Sequence, residues 1–272
     1  MYSRGSLKGS CLVHLAAVVG GIGANANHPA KFFYENAIMN LQVIHNAYLS
    51  NAEKIISIGT VSIYPENSPI PFKEKNIWNG YPQEDNAPYG IAKRIMHTHS
   101  LSYRKQYDFN SIMVILTNLY GPNDNFKEDT SHVIAALIRR FYEAKKNNEK
   151  EVTVWGDGNS TRDFCYIENV VQANIMAAVT ENTKALNEVY NIAFNESTSL
   201  NDLFKIIIEN LESMNIDYNL KPIYSDFRDG DVRHSLADIS KAKELLAYDP
   251  QFSLRKGMGE AMTWYVNNIR NN

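Results

Sequence analysis

Three side chains in this sequence are of the types that move protons at a carbonyl: Thr60, Tyr89 and Lys93. Tyr89 and Lys93 stand four apart in a helical pattern running from Ala87 to Tyr107, which puts them on one face, a turn apart. A phenol with a pKa of about 10 is a poor base at neutral pH. An ammonium close by favours the phenolate. A hydroxyl from Thr60 can hydrogen-bond the substrate oxygen that gains or loses the proton. Together they make a proton-transfer device matched to hydride transfer. A bare Tyr-x-x-x-Lys recurs by chance in chains of this length, and a surface pair is the plainer reading of that motif alone. Its surroundings decide.

The elements that must carry these residues alternate. Leu12 to Ala17 is a short apolar run that reads as a buried strand entering a loop at Gly20-Gly21-Ile22-Gly23. Phe33, Ala37, Leu41, Ile44 and Tyr48 recur at helical spacing over residues 30–50. Lys54 to Gly59 is a second strand, with Thr60 at its end. Ser111 to Leu119 is a third, closed by the Gly121-Pro122 turn. Strands alternating with helices of this length predict an α/β fold with a doubly wound, Rossmann-like parallel sheet. Ligands of such sheets sit beyond the carboxyl ends of the strands, where Thr60, Asn118 and the glycine-rich segment fall.

The second half is less regular. A helix is expected over Ser131 to Lys145, capped by Thr130 or Ser131. A strand follows at Glu151 to Trp155, a helix at Asn169 to Val179, a strand at Val189 to Ala193, and helices near 200–214, 240–247 and 256–268. No low-complexity linker separates the halves. The expectation is a dinucleotide-binding domain over 1–121, rejoined by 163–195, and a smaller α/β substrate lobe from 122–162 and 196–272.

Composition removes several function classes. The net charge of −3 lacks the basic footprint of a nucleic-acid binder. No apolar run reaches the ~18 residues a membrane helix needs, and no signal peptide is evident. Cys11 and Cys165 form no disulfide framework and have no metal-ligand spacing. Apolar flanks make buried packing their default, and a reducing cytoplasm fits.

The surroundings of Tyr89 resemble a known family. "VHLAA" at 13–17, "ISIGTVSIYP" at 56–65, "APYGIAK" at 87–93, "TNLYGP" at 117–122 and "TRDFCYIENVVQAN" at 161–174 follow the order seen in extended short-chain dehydrogenases/reductases acting on nucleotide sugars. Within that family, "VGGIGANANHPAKFFYEN" and "LTNLYGPNDNFKEDTSHVIAALIRRF" are similar to GDP-L-fucose synthases. "GDGNSTRDFCYIENVVQANIMAAV" and "FRDGDVRHSLADISKAKELLAYDP" look more like UDP-N-acetylglucosamine 4-epimerases.

The resemblance implies NAD or NADP as cofactor, a GDP- or UDP-linked hexose as substrate, and a homodimer built on the Tyr-Lys helix and the helix before it. For that contact Ile95, His99 and Tyr103 form one stripe, and Phe33, Ile44 and Tyr48 the other. It implies Tyr89 as acid/base, Lys93 as its electrostatic partner and Thr60 as its hydrogen-bonding neighbour. Leu15, Ala16, Ala17 and Asn36 match cofactor-side positions. Asn118, Arg162 and Arg228 match contacts to the nucleotide diphosphate, with Arg140 a further candidate; guanidinium suits phosphate because its donors form a planar fork.

His132 matches the acid/base histidine of 3,5-epimerisation. The cysteine that should partner it is replaced by Ser62, a far weaker acid than a thiol of pKa about 8.5. Carbonyl reduction needs no such partner. Val61-Ser62 also stands where sugar dehydratases carry an Asp-Glu pair, which argues against dehydration.

One family feature is missing. The strand, G-x-G-x-x-G turn and helix that hold a pyrophosphate do not occur, since Gly20, Gly21 and Gly23 lack the spacing. By resemblance roughly sixty residues would precede Cys11. An N-terminally truncated chain would bind the cofactor weakly and leave the strand at 12–17 with an unpaired side. A non-catalytic homologue that keeps only sugar-nucleotide binding or a subunit contact is the alternative reading.

Overall fold

A computed structural model describes residues 6–127, 130–216, 219–227, 230 and 232–269. The chain begins with β1 (Cys11–His14), α1 (Ile22–Asn27), α2 (Pro29–Leu49) and β2 (Lys54–Thr60). After a 3-10 turn at Val61–Ile63 come α3 (Ala87–Tyr107), β3 (Asn110–Leu116) and β4 (Asn118–Tyr120). Next are α4 (Val133–Lys146), β5 (Glu151–Trp155), β6 (Thr161–Arg162), β7 (Phe164–Tyr166) and α5 (Ile167–Val179). The last elements are β8 (Val189–Ile192), β9 (Thr198–Ser199), α6 (Leu200–Ser213), β10 (Lys221–Ser225), α7 (Ser240–Leu246) and α8 (Leu254–Asn268).

The main sheet runs β1-β2-β3-β8, parallel throughout. Its central strands are apolar on both faces, as parallel strands covered by helices must be. Alternation divides them: Ile56, Ile112 and Val114 face α5 and α7, while Ile55, Met113 and Ile115 face α2 and α3. A separate core fills the second lobe, where α4, α6 and α8 pack over the β5–β10 pair. The doubly wound sheet and its smaller lobe are therefore present as expected.

Several local expectations need correction. The first strand ends at His14, so Leu15-Ala16-Ala17 lies beyond its carboxyl end, with Leu15 and Ala16 exposed. Gly20 to Gly23 is not one loop: extended Gly21 caps α1, and Gly23 is inside that helix. The third strand stops at Leu116, because Asn118–Tyr120 leaves the sheet to pair with Phe164–Tyr166. Helix α4 starts at Val133 with His132, not Thr130 or Ser131, as its N-cap. Residues 237–248 pack by Ala237, Ile239, Leu246 and Tyr248 on the sheet, so 196–272 is not wholly the second lobe. Cys11 is only half-buried, whereas Cys165 is fully enclosed.

The two helical stripes also differ from expectation. Ile44 is wholly buried, and Tyr48 sits edge-on to Tyr103 at 5.4 Å and stacks on Tyr107 at 4.5 Å. Those residues form the seam where α2 and α3 pack together rather than an outward face. Among the described residues β1 pairs along one side only. Beside its open edge α5 exposes Val171, Ile175 and Val179, spaced for one helical face. No described helix is long and apolar enough to cross a membrane.

Candidate active site

Helix α3 begins where it must for Tyr89 to reach β2. Pro88 sits in its first turn, where a missing N–H costs nothing. Gly90 then lets the helix lie against the 3-10 turn after β2: a Cβ at Gly90 would overlap the carbonyl oxygen of Ser62. That close approach brings the Tyr89 turn against Thr60 and Ser62.

The Thr60 hydroxyl donates to Ser62 Oγ at 3.4 Å, and its oxygen accepts from the Ser62 N–H at 3.3 Å. We expect Gly90→Ala to push α3 off this turn. Turnover should fall by about 100-fold, as a displacement near 1 Å can cost that much. Circular dichroism and steady-state rates on the same sample would check it; an unaffected rate would show that the contact does not set the geometry.

Lys93 is 1% exposed and its Nζ lies 5.7 Å from the centroid of the Tyr89 ring. Among the described residues that ammonium has no hydrogen-bond partner. Burial pushes the Lys93 amine down to about 8 and the Tyr89 phenol up to about 12. Burial thus favours the neutral form of each group and moves the two pKa values apart, and perturbed pairs of this kind cluster at functional sites. Hydroxyl groups of a bound ligand suit an otherwise unpartnered buried ammonium, so this side of the site fits a nicotinamide ribose.

The segment expected on the cofactor side is anchored by Asn36. Its Oδ1 accepts from the Val18 N–H at 2.9 Å, and its Nδ2 donates to the Val18 and Phe32 carbonyls at 2.9 and 2.7 Å. Asn36 thus shapes the backbone after Leu15-Ala16-Ala17, and both amide ends are occupied by protein.

The residues expected on the substrate side are spread between the lobes. Asn118 begins β4 and hydrogen-bonds the Asp163 carbonyl through both its N–H, at 3.2 Å, and its Nδ2, at 3.4 Å. Arg162, buried, donates to the carbonyls of Thr161 and Arg233 at 2.9 and 3.3 Å. Arg140 on α4 donates to the Thr153 carbonyl and lies over the Trp155 ring at 5.6 Å. Those contacts tie it to β5. His132 is exposed at the start of α4. Arg228 lies outside the described residues. No group of three or more His, Cys, Asp or Glu side chains suited to a metal occurs among the described residues.

The sequence reading missed three features. Arg233 pairs with Asp157 at 2.7 Å and lies over Phe227 at 4.9 Å, a cation and ring exposed near Trp155. The Asp-x-Arg at 231–233 was its only signal. His14 and Asn40 form a buried pair behind Lys93. Asp163 is a fully buried carboxylate between Arg162 and Phe164.

This fold and site define a class. The model of the NAD dependent epimerase/dehydratase family matches residues 6–193, and the chain belongs to that family, whose members named below are enzymes. It is 34% identical to GDP-L-fucose synthase 1 of Arabidopsis thaliana over 256 residues, 94% of this chain and 76% of that one. It is 32% identical to the GDP-L-fucose synthase of Escherichia coli over 265 residues, 94% and 80% of the two chains. Among solved structures, the UDP-glucose 4-epimerase of Thermotoga maritima matches with a TM-score of 0.83 at 30% identity, over 95% of this chain and 78% of that one.

Proposed function

We propose that this chain is an NAD(P)-dependent epimerase or reductase of a GDP- or UDP-linked hexose, working at the sugar's 4-position. The observation that carries the reading is the unpartnered, buried Lys93 ammonium beside Tyr89, with Thr60 on the adjoining turn. A bound nicotinamide supplies or accepts the hydride. Tyr89 holds the proton at its hydroxyl oxygen and gives it to the sugar's carbonyl oxygen on reduction, or takes it on oxidation. Lys93 lowers the cost of the phenolate by its charge. Thr60 orients the reacting oxygen, releasing the weak 3.4 Å bond to Ser62 as it does so. Asn118 and Arg162, with Arg228, meet the diphosphate. A homodimer through α2 and α3 belongs to the same reading; a groove of about 320 Å³ on the outer side of α3, lined by Trp78, Ile91, Ile95 and His99, suits a second copy.

Ser62 sets the expected outcome at C3 and C5. A hydroxyl cannot stand in for a thiol as the second proton donor, so 4-position redox chemistry should dominate. Offered a 4-keto-6-deoxy sugar nucleotide and NADPH in deuterated water, the enzyme should consume the cofactor with little deuterium at C3 or C5. Fast, His132-dependent deuterium uptake without cofactor oxidation would reverse the assignment. Competition between GDP and UDP in the same assay identifies the base.

A further inference from the structure

Behind Lys93 lies a polar group that the proposed chemistry does not use. Asn40, on α2, is fully buried. Its Nδ2 donates to the carbonyl of Ala92, the residue before Lys93, at 3.4 Å, and its Oδ1 lies 3.0 Å from Nε2 of His14. These two contacts fix the amide's orientation. The nitrogen must face the carbonyl, so the oxygen faces the ring. An amide oxygen can only accept, so His14 carries its hydrogen on Nε2 and leaves Nδ1 bare.

His14 closes β1, immediately before Leu15-Ala16-Ala17. Asn40 is one helical turn beyond Asn36, whose amide grips Val18 on the far side of that segment. Two amides four residues apart therefore staple both ends of the 15–18 stretch to α2. The second also reaches across to α3.

We propose that His14 and Asn40 are positioning residues that hold the 15–17 segment and the Lys93 turn of α3 at a fixed separation. Neither need touch substrate or cofactor; each acts through Lys93. Charge supports the arrangement. Burial and the nearby Lys93 ammonium hold His14 below its ordinary titration range, against the hydrogen bond that the ring donates to Asn40, so the ring facing Lys93 is neutral. A buried, hydrogen-bonded amide is costly to leave half-satisfied, which makes the geometry unique.

The first test is independent of the catalytic reading. Long-range nitrogen–proton NMR on histidine-labelled protein at pH 7 should show His14 neutral with hydrogen on Nε2. A cationic ring, or hydrogen on Nδ1, would overturn the proposal. The second test rests on the proposed oxidoreductase activity. His14→Leu and Asn40→Leu should each lower kcat about tenfold, with the nucleotide-sugar KM within about twofold. His14→Gln, whose Nε2 occupies the place of the imidazole Nε2, should restore most of kcat; His14→Asn, which is too short, should not. Equal damage from Gln and Asn, or full activity in both Leu variants, would also overturn it. Should the Leu variants fail to fold, the Gln–Asn comparison and the wild-type spectrum still decide. If the spectrum is as expected and no nicotinamide oxidation occurs with any variant, the catalytic reading fails and the pair retains only its tautomer.

Discussion

Replacing Tyr89 with phenylalanine should lower turnover by about 10²–10⁴-fold, the range expected for losing a general acid or base. The phenol is pushed up to about 12 by burial, so in this environment it starts as the acid. That state serves carbonyl reduction directly, because the proton is already on the hydroxyl. Oxidation of an alcohol needs the phenolate, and for that step the charge on Lys93 must act. The Lys93 amine, pushed down to about 8, remains mostly protonated at pH 7 and sits 5.7 Å from the ring. Phenylalanine keeps the ring, its packing and the cation–ring contact, and removes only the proton-carrying oxygen. Nucleotide-sugar KM should therefore change little while kcat and kcat/KM fall together. Steady-state kinetics with sugar nucleotide and NADP(H) is the direct measurement. Near-full turnover in Tyr89→Phe would remove the residue from the mechanism, and the assignment of Lys93 and Thr60 with it.

What was legible in the sequence was local. Helix α3 runs from Ala87 to Tyr107 as expected, since Pro88 opens it and left-handed Asp108 (φ 58°) closes it. The spacing of Tyr89 and Lys93 then needs only that helix. Strands β2 and β3 were plain because continuous apolar runs mark strands buried on both faces. What escaped depends on partners far along the chain. The His14–Asn40 bond spans 26 residues, and no periodicity announces it. Gly90 looks like a poor choice for a helix interior until the Ser62 carbonyl is seen against it. The end of the third strand is hidden from pattern because Asn118–Tyr120 keeps its extended form while changing partners. Arg140, a phosphate-ligand candidate by type, donates through Nη1 to the Thr153 carbonyl and lies over Trp155, contacts that no spacing announces.

Substituting Asp163 should be the most destabilising single change in the region between the lobes. Its carboxylate is fully buried and accepts from the backbone N–H groups of Phe194 and Asn195 at 3.2 Å and of Ala237 at 3.4 Å. Its own carbonyl receives Asn118. One residue thereby ties the exit of β8, the segment entering α7 and a proposed diphosphate ligand into one unit. Asp163→Ala strands three backbone donors, of which that of Ala237 is buried and those of Phe194 and Asn195 part-buried, and a loss of about 3 kcal/mol is expected, since an unsatisfied buried group costs roughly 1–3 kcal/mol and a part-buried one less. Asp163→Asn keeps the volume and one acceptor, so it should cost less while removing the titration. Burial pushes the Asp163 carboxyl up to about 7, and the backbone donors only partly pull it back. A folded-state pKa above the unfolded value means that the native protein binds the proton more tightly. The associated stability is fully present below about 4, the ordinary Asp value. It is lost as pH rises through about 7. The wild type should therefore gain stability over Asp163→Asn when pH is lowered from about 8 to 5. Taking the difference between the two proteins cancels the opposite trend of other carboxylates, such as Asp238, which hydrogen bonds from Ser240 and then the Lys73 charge hold below the usual range. Urea denaturation of both proteins at several pH values measures this gap. A gap that stays constant, or narrows toward acid, would mean that the backbone donors outweigh burial and hold Asp163 ionised throughout.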